Sequence, residues 1–134
     1  MTAFAGARPD WGRRNLRLLA VFAPVLILTG VLGLLLPPGR SPMSSAAPYD
    51  VFHLCFGTLG VAIALSGSAR FAGLFNVGFG AVDLYQAFAG LLGIFPAGVF
   101  GLRPADHVVH VVLGALLVSF GVQAPQARRE RTTR

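Results

Sequence analysis

The stretch "NLRLLAVFAPVLILTGVLGLLLPP" at residues 15–38 decides the fold class of this chain. Its apolar part, residues 16–36, is as long as the roughly 20 residues that a helix needs to cross the core of a bilayer. Basic residues precede it and two prolines follow it. A secretory signal has a similar layout, but its apolar part runs to about 15 residues at most. We therefore expect a retained membrane span.

The rest of the chain has the same membrane-like composition. Of 134 residues, 54% are hydrophobic and only 12% are charged, whereas about a quarter of the residues in soluble domains are charged. Three more apolar segments predict further spans at 51–67, 71–95 and 107–122. The predicted fold is all-α, a polytopic transmembrane four-helix bundle over residues 16–122, between a basic N-terminal segment (1–15) and a basic, disordered tail (123–134).

The basic residues predict how the bundle is oriented. All eleven are Arg, and nine lie in the two termini or in the turn between spans two and three, whereas only Arg40 and Arg103 lie in the other two loops. Because Arg-rich segments stay on the cytoplasmic side, both termini are predicted to be cytoplasmic, in a bacterial inner membrane. Trp11 fits an anchor at the membrane interface. Basic residues that flank apolar runs do not indicate nucleic-acid binding.

Two stretches of the sequence resemble each other. Both "PYDVFH" (48–53) and "PADHVVH" (104–110) contain Pro-x-Asp followed by a His, and a Gly stands four residues beyond His53 and beyond His110. The preceding spans end similarly, in "TGVLGLLLP" (29–37) and "AGLLGIFP" (89–96). The sequence therefore predicts a bundle built from two repeated helical hairpins in parallel orientation.

Polar residues at the start of the second and fourth spans have an expected structural role. Asp50 and Asp106 are predicted to be helix caps, because a carboxylate there accepts hydrogen bonds from free backbone N–H groups and complements the helix dipole. We expect His53 and His110, within the first turns, to bond backbone or loop groups. In the fourth span, His107 lies on the same helix face as His110.

Asp83 lies near the middle of the third predicted span, on a face with Asn76 and several small residues. Small residues let helices approach closely in lipid, and polar ones are expected to face the bundle interior. A charge at this depth costs at least roughly 3 kcal/mol, and the apolar runs offer no basic partner. Thr29, Thr58 and Gln86 are the expected hydrogen-bond partners.

The histidines also raise the question of a cofactor. The helical rise predicts His53 and His110 at one depth, with Asp83 roughly 12 Å deeper. Two His alone can ligate haem, but a structural zinc site needs four ligands, which His107 with Asp50 or Asp106 could supply only by leaving their capping roles. Because the His side chains are expected to bond backbone or loop groups instead, we expect no metal, no haem and no other cofactor. The sequence also lacks the motifs of phosphoryl transfer, metalloprotease and dinucleotide chemistry. It therefore predicts no enzyme activity.

The motifs "GLLGIFP" and "ADHVVHVVLGALL", with weaker copies in "GVLGLLLP" and "YDVFHLCFGTLGV", resemble the small bacterial membrane proteins of domain-of-unknown-function family 4383. The resemblance covers residues 17–122 and implies a four-span bacterial integral membrane protein, without an activity. Pro24 and Asp83 depart from the family pattern.

Three functional classes stay open at this point. The first is a small membrane protein whose motifs serve helix packing and capping, with the lipid bilayer as its surroundings and self-association or a membrane-protein partner left open. The second is a proton-coupled carrier or relay that uses Asp83 and Asn76. The third is haem or metal binding by His53 and His110.

Overall fold

The computed structural model describes residues 10–37, 39–41 and 43–132, and over these residues the chain forms helices and no β-strand. The five helices are α1 (Trp11–Leu35), α2 (Ala47–Ser66), α3 (Ala69–Leu92), α4 (Ala97–Phe100) and α5 (Pro104–Thr132). Residues 1–9 of the predicted N-terminal segment and 133–134 of the predicted tail lie outside the described residues.

Three of these helices are long and apolar enough to cross a membrane. They are α1, α2 and the Pro104–Gln123 part of α5. With 24 residues α3 has the length, but Asn76, Asp83 and Gln86 lower its mean hydropathy. The chain is therefore a helical protein with the features of a membrane protein, and three of the four predicted spans have the required length and composition.

The helices begin earlier than the apolar segments suggest. The Asp10 carboxylate accepts a hydrogen bond from the Arg13 N–H (3.1 Å) and caps α1, so this helix includes the basic residues before the predicted span. Both α2 and α5 have a proline within their first two residues. Proline is favoured at the first helical position because its fixed φ suits a helix and its missing N–H would have no partner there.

Two of the helix ends are set by glycine. Gly67 ends α2 at φ 67° and Gly93 ends α3 at φ 65°, a left-handed conformation that costs glycine little. As a result α3 ends three residues before the predicted end of its span. The short helix α4 lies where the sequence predicted only a loop.

At the C-terminal end the tail prediction is wrong for the described residues. There α5 continues to Thr132, whereas a disordered tail was expected from residue 123. Ala, Gln, Arg and Glu are good helix formers, and they extend an existing helix without the cost of a new nucleus.

The helices pack as two close pairs, α1 with α2 and α3 with α5, and α1 and α3 also contact each other. Backbones come close where glycines face each other. A Cβ placed on Gly80 would lie 2.8 Å from the Gly114 carbonyl oxygen, and one on Gly114 would lie 2.8 Å from that of Gly80. Eight buried residues from three helices form the core: Leu19, Phe22, Ala23, Leu26, Ala72, Phe75, Phe79 and Leu117.

Candidate functional site

The most concentrated buried polar chemistry lies where α2 and α5 begin. Tyr49 is 1% exposed, and its hydroxyl is hydrogen-bonded to Nε2 of His110 at 2.7 Å. The ring of Tyr49 also packs on that of His53, with ring centroids 4.2 Å apart. Tyr49 thus contacts both histidines, and Asp106 lies one turn before His110 on α5. We call Tyr49, His53, Asp106 and His110 the histidine cluster.

Asp106 connects this cluster to the loop before α2. Its Oδ2 accepts hydrogen bonds from the N–H of Arg103 (2.7 Å) and the N–H of Ser44 (2.9 Å). Arg103 directly precedes α5, so the first contact is half of a capping box, in which the third helical residue reaches back to the cap. The Arg103 guanidinium also donates to the Ser41 carbonyl (2.7 Å). These contacts hold the two interhelical loops together over the cluster.

Asp50 has a different position from the one predicted. Because α2 begins at Ala47, Asp50 lies in its first turn and not at its cap, and the capping residue Ala46 supplies no side-chain hydrogen bond. The Asp50 side chain instead occupies the space left by Gly33 of α1. A Cβ on Gly33 would lie 1.9 Å from Oδ1 of Asp50.

His107 contacts a different helix from the residues that His53 and His110 contact. Its ring lies against Gly90 of α3, where an added Cβ would be 1.9 Å from Cε1 of the ring. The arrangement parallels that of Asp50 and Gly33. In both helix pairs a polar side chain near the start of the second helix fills a gap at a glycine near the end of the first.

Asp83 lies nearer to the histidine cluster than the sequence indicated. It is 3% exposed, and its Cβ lies 3.1 Å from the place of a Cβ on Gly114. Gly114 is one turn beyond His110, so the depth difference is about 6 Å and the predicted 12 Å is wrong. The cause is the helix ends, since α3 stops at Leu92 and α5 starts at Pro104.

Of the three expected partners of Asp83, the two threonines are engaged elsewhere, and Oε1 of Gln86 is buried without a partner in the described part of the chain. Thr29 donates to the Val25 carbonyl (2.9 Å) and Thr58 to the Leu54 carbonyl (2.7 Å), each within its own helix. Threonines in helices often make this bond to a carbonyl one turn back. Among the described residues, no hydrogen bond or salt bridge joins another side chain to the Asp83 carboxylate.

Asn76 belongs to a second polar site, near the other end of the helices. Its side-chain NH₂ donates to Oδ1 of Asn15 (2.7 Å), and the NH₂ of Asn15 donates to the carbonyls of Phe120 (3.0 Å) and Trp11 (2.9 Å). Both asparagines are 0% exposed. We call Asn15 and Asn76 the asparagine pair, which joins α1, α3 and α5. Because the Asn76 side chain is bonded to Asn15, its position does not match the relay with Asp83 that the sequence suggested.

Two residues of these sites were missed by the sequence reasoning. Asn15 lay one residue before the predicted first span, and Tyr49 was assigned to a loop. A usable signal existed for Tyr49, because it precedes His53 by four residues and residues at this spacing share a helix face. For Asn15 there was no local signal, since its partners lie 61 and 105 residues away.

Several polar atoms around the histidine cluster are buried without a hydrogen-bond partner in the described part of the chain. They are Nδ1 of His53 and of His110 and Oδ1 of Asp106. Such atoms are rare in folded proteins. In the Tyr49–His110 hydrogen bond either group can be the donor, according to the histidine tautomer.

A metal centre is not supported by the described residues, because they contain no group of three or more His, Cys, Asp and Glu side chains arranged to hold an ion. The ring of Tyr49 contacts both His53 and His110, with centroid distances of 4.2 and 5.9 Å.

Comparisons of the chain with protein-family models, with characterised proteins and with solved structures found no match.

Proposed function

We propose that this chain is a small four-span integral membrane protein of a bacterial inner membrane, of the kind grouped in domain-of-unknown-function family 4383. Its polar and glycine motifs fasten two helical hairpins together. The observation that carries the proposal is that the polar side chains of both helix pairs fill gaps at glycines of a neighbouring helix or bond its backbone.

Burial supports α3 as the fourth span. Between residues 71 and 92, Asn76, Asp83 and Gln86 are at most 3% exposed, so they leave the outer surface of this part of the helix apolar, and Arg70 lies before it in the first turn. Mean hydropathy averages over all sides of a helix, but lipid contacts only the outer side. The outer side of α3 carries large apolar and aromatic residues: Phe71, Leu74, Leu84, Tyr85, Phe88, Leu91 and Leu92.

The Arg distribution supports cytoplasmic termini, and reporter fusions test it. A fusion after residue 134 should be active with a cytoplasmic reporter, and one within the loop at 39–41 should be active with a periplasmic reporter. Periplasmic activity at the C-terminus would contradict the even number of spans or their orientation.

The contacts of Asp50 and His107 support the repeated hairpins in part, although they meet different glycines of the repeat, since the aligned sequences match Gly30 with Gly90 and Gly33 with Gly93. Asp50 and His107 hold corresponding places, because each stands three residues before the repeated His, at His53 and His110. A folded repeat of this kind suits a compact membrane subunit that packs by its small residues.

A proton relay is the second candidate function, and the position of Asp83 favours it. This carboxylate is buried one turn from the Tyr49–His110 hydrogen bond, and intramembrane ionisable groups often mark proton pathways. The relay would run between Asp83 and the histidine cluster. Metal and haem binding are not proposed, because Nε2 of His110, a nitrogen that a ligand role would use, is bonded to the Tyr49 hydroxyl.

One pair of substitutions separates the two candidates. Asp83→Asn keeps the shape and removes the charge, and Asp83→Leu also removes the polar group. If the carboxyl serves packing, Asp83→Asn should keep its fold and any proton flux measured in proteoliposomes under a pH gradient, whereas Asp83→Leu should lose stability. If wild-type protein conducts protons and Asp83→Asn does not, while folding normally, the relay is correct and the purely structural role is wrong.

A further inference from the structure

A second feature lies apart from the histidine cluster, in a groove between α1 and α5. Four residues of α1 and one of α5 line it: Arg14, Arg17, Leu18, Val21 and Phe120. The groove is open and has a volume of about 410 Å³. The α1 residues are spaced by three, one and three, so they lie on one face of that helix.

The wall and mouth of the groove are held in place by contacts with their neighbours. The Phe120 ring packs edge-on against Trp11 with centroids 5.7 Å apart, and the Phe120 carbonyl accepts the hydrogen bond from Asn15. The Arg14 guanidinium lies 4.9 Å from the centroid of the Trp11 ring, close enough for a cation–π interaction. Tryptophan favours the headgroup level of a membrane, so these contacts place a guanidinium there.

Polarity changes along the α1 wall of the groove in the same order as along a phospholipid. Arg14 and Arg17 lie toward the start of α1, and Val21, which is 69% exposed, lies about 10 Å further along the helix from Arg14. A lipid phosphate beside the arginines would therefore direct its acyl chain along Leu18 and Val21, while Phe120, which contacts Trp11, lies at the headgroup end.

We infer that this groove binds an anionic phospholipid, with its phosphate between Arg14 and Arg17. Guanidinium groups bind phosphate through charge-assisted hydrogen bonds, and basic pockets between spans on the cytoplasmic side hold anionic headgroups. A zwitterionic lipid is disfavoured because its ammonium group would lie near the same guanidiniums. The inference rests on the proposed insertion of α1 in a membrane.

Trp11 provides a direct readout, because it is the only tryptophan of the chain and contacts both Arg14 and Phe120. The purified full chain is reconstituted in vesicles that contain phosphatidylglycerol and phosphatidylcholine, with bromine on the acyl chains of one lipid at a time. Bromine quenches tryptophan fluorescence at short range. We expect quenching to report a preference for phosphatidylglycerol on the order of fivefold or more.

Arg17→Gln and Arg13→Gln each remove one positive charge from the start of α1, so they give a matched comparison. Arg17→Gln should lower the preference by about fivefold, while Arg17→Lys should keep most of it. Arg13→Gln should leave it unchanged, because Arg13 pairs with Asp10 at 3.6 Å and does not line the groove. Native mass spectrometry of the same variants should show loss of bound phosphatidylglycerol for Arg17→Gln alone.

Equal quenching by both lipids in the wild type, or an equal loss in Arg13→Gln and Arg17→Gln, would overturn the inference and leave membrane insertion intact. Absence of quenching by either lipid would overturn membrane insertion of α1 itself.

Discussion

The asparagine pair and the histidine cluster are both buried, and each joins helices that are distant in the sequence, but they use their polar atoms differently. At the asparagine pair, both N–H donors of Asn15 reach backbone carbonyls and its side-chain oxygen accepts from Asn76, so that Oδ1 of Asn76 is its one buried atom without a partner among the described residues. At the histidine cluster, three atoms are buried in this way: Nδ1 of His53, Nδ1 of His110 and Oδ1 of Asp106. A site whose polar groups are mostly paired stabilises the packing of helices, and one with several unpaired groups retains atoms that can bind or exchange protons.

The two sites are linked by the close approach of α3 and α5 at Gly80 and Gly114, which lies between them along the helices. Because this approach depends on the absence of side chains, it should be the most sensitive point of the fold. We therefore expect a substitution at this contact to cost more stability than a substitution at either polar site.

Gly114→Leu should have the largest effect. The new side chain would meet the Gly80 carbonyl and Leu84, each at 2.8 Å from its Cβ, and would force α3 and α5 apart. We expect a loss of about 3 kcal/mol in the free energy of unfolding, measured by denaturation in detergent micelles. Gly78→Leu is the matched control, since nothing lies within 4 Å of a Cβ there. Equal effects of the two substitutions would show that the close approach is not required.

Asn76→Leu should have an intermediate effect, because it leaves Oδ1 of Asn15 without its donor. We expect a loss of about 1–2 kcal/mol in the same measurement. Thr58→Leu removes an exposed side chain that bonds only its own helix and should be nearly neutral. Combining Asn15→Leu with Asn76→Leu should cost less than the sum of the single changes, and full additivity would contradict a coupled pair.

Tyr49→Phe should have the smallest effect on stability. It removes the hydrogen bond to His110, and buried hydrogen bonds between membrane helices contribute about 0.6 kcal/mol on average. Tyr85→Phe is the control, because the Tyr85 hydroxyl also makes a 2.7 Å bond, to the Phe95 carbonyl, on an exposed side chain. A larger loss for Tyr49→Phe than for Asn76→Leu would reverse the comparison and make the histidine cluster the main structural site.

Most helix ends could be predicted from the sequence to within about five residues, because apolar composition and length are local properties; the exceptions are α4 and the end of α5. Three of the wrong helix ends also have local causes. The prolines near the starts of α2 and α5 make these helices begin earlier than predicted, and Gly93 makes α3 end earlier. Those shifts were enough to change the depth of Asp83 relative to His110 by about one turn.

Apolar composition is enough to predict a helical chain with segments suited to a membrane, since a long apolar run can satisfy its backbone in lipid only as a helix or a closed barrel. The positions of Asp83, Asn76 and the histidines within these segments also indicate that they need shelter from lipid. How each is sheltered is seen only in the folded chain, where Asn76 meets Asn15, Tyr49 contacts His53 and His110, and Asp50 fills the gap at Gly33. These contacts depend on the rotation and relative height of whole helices, which are set by the sum of close contacts along their length and not by any one motif.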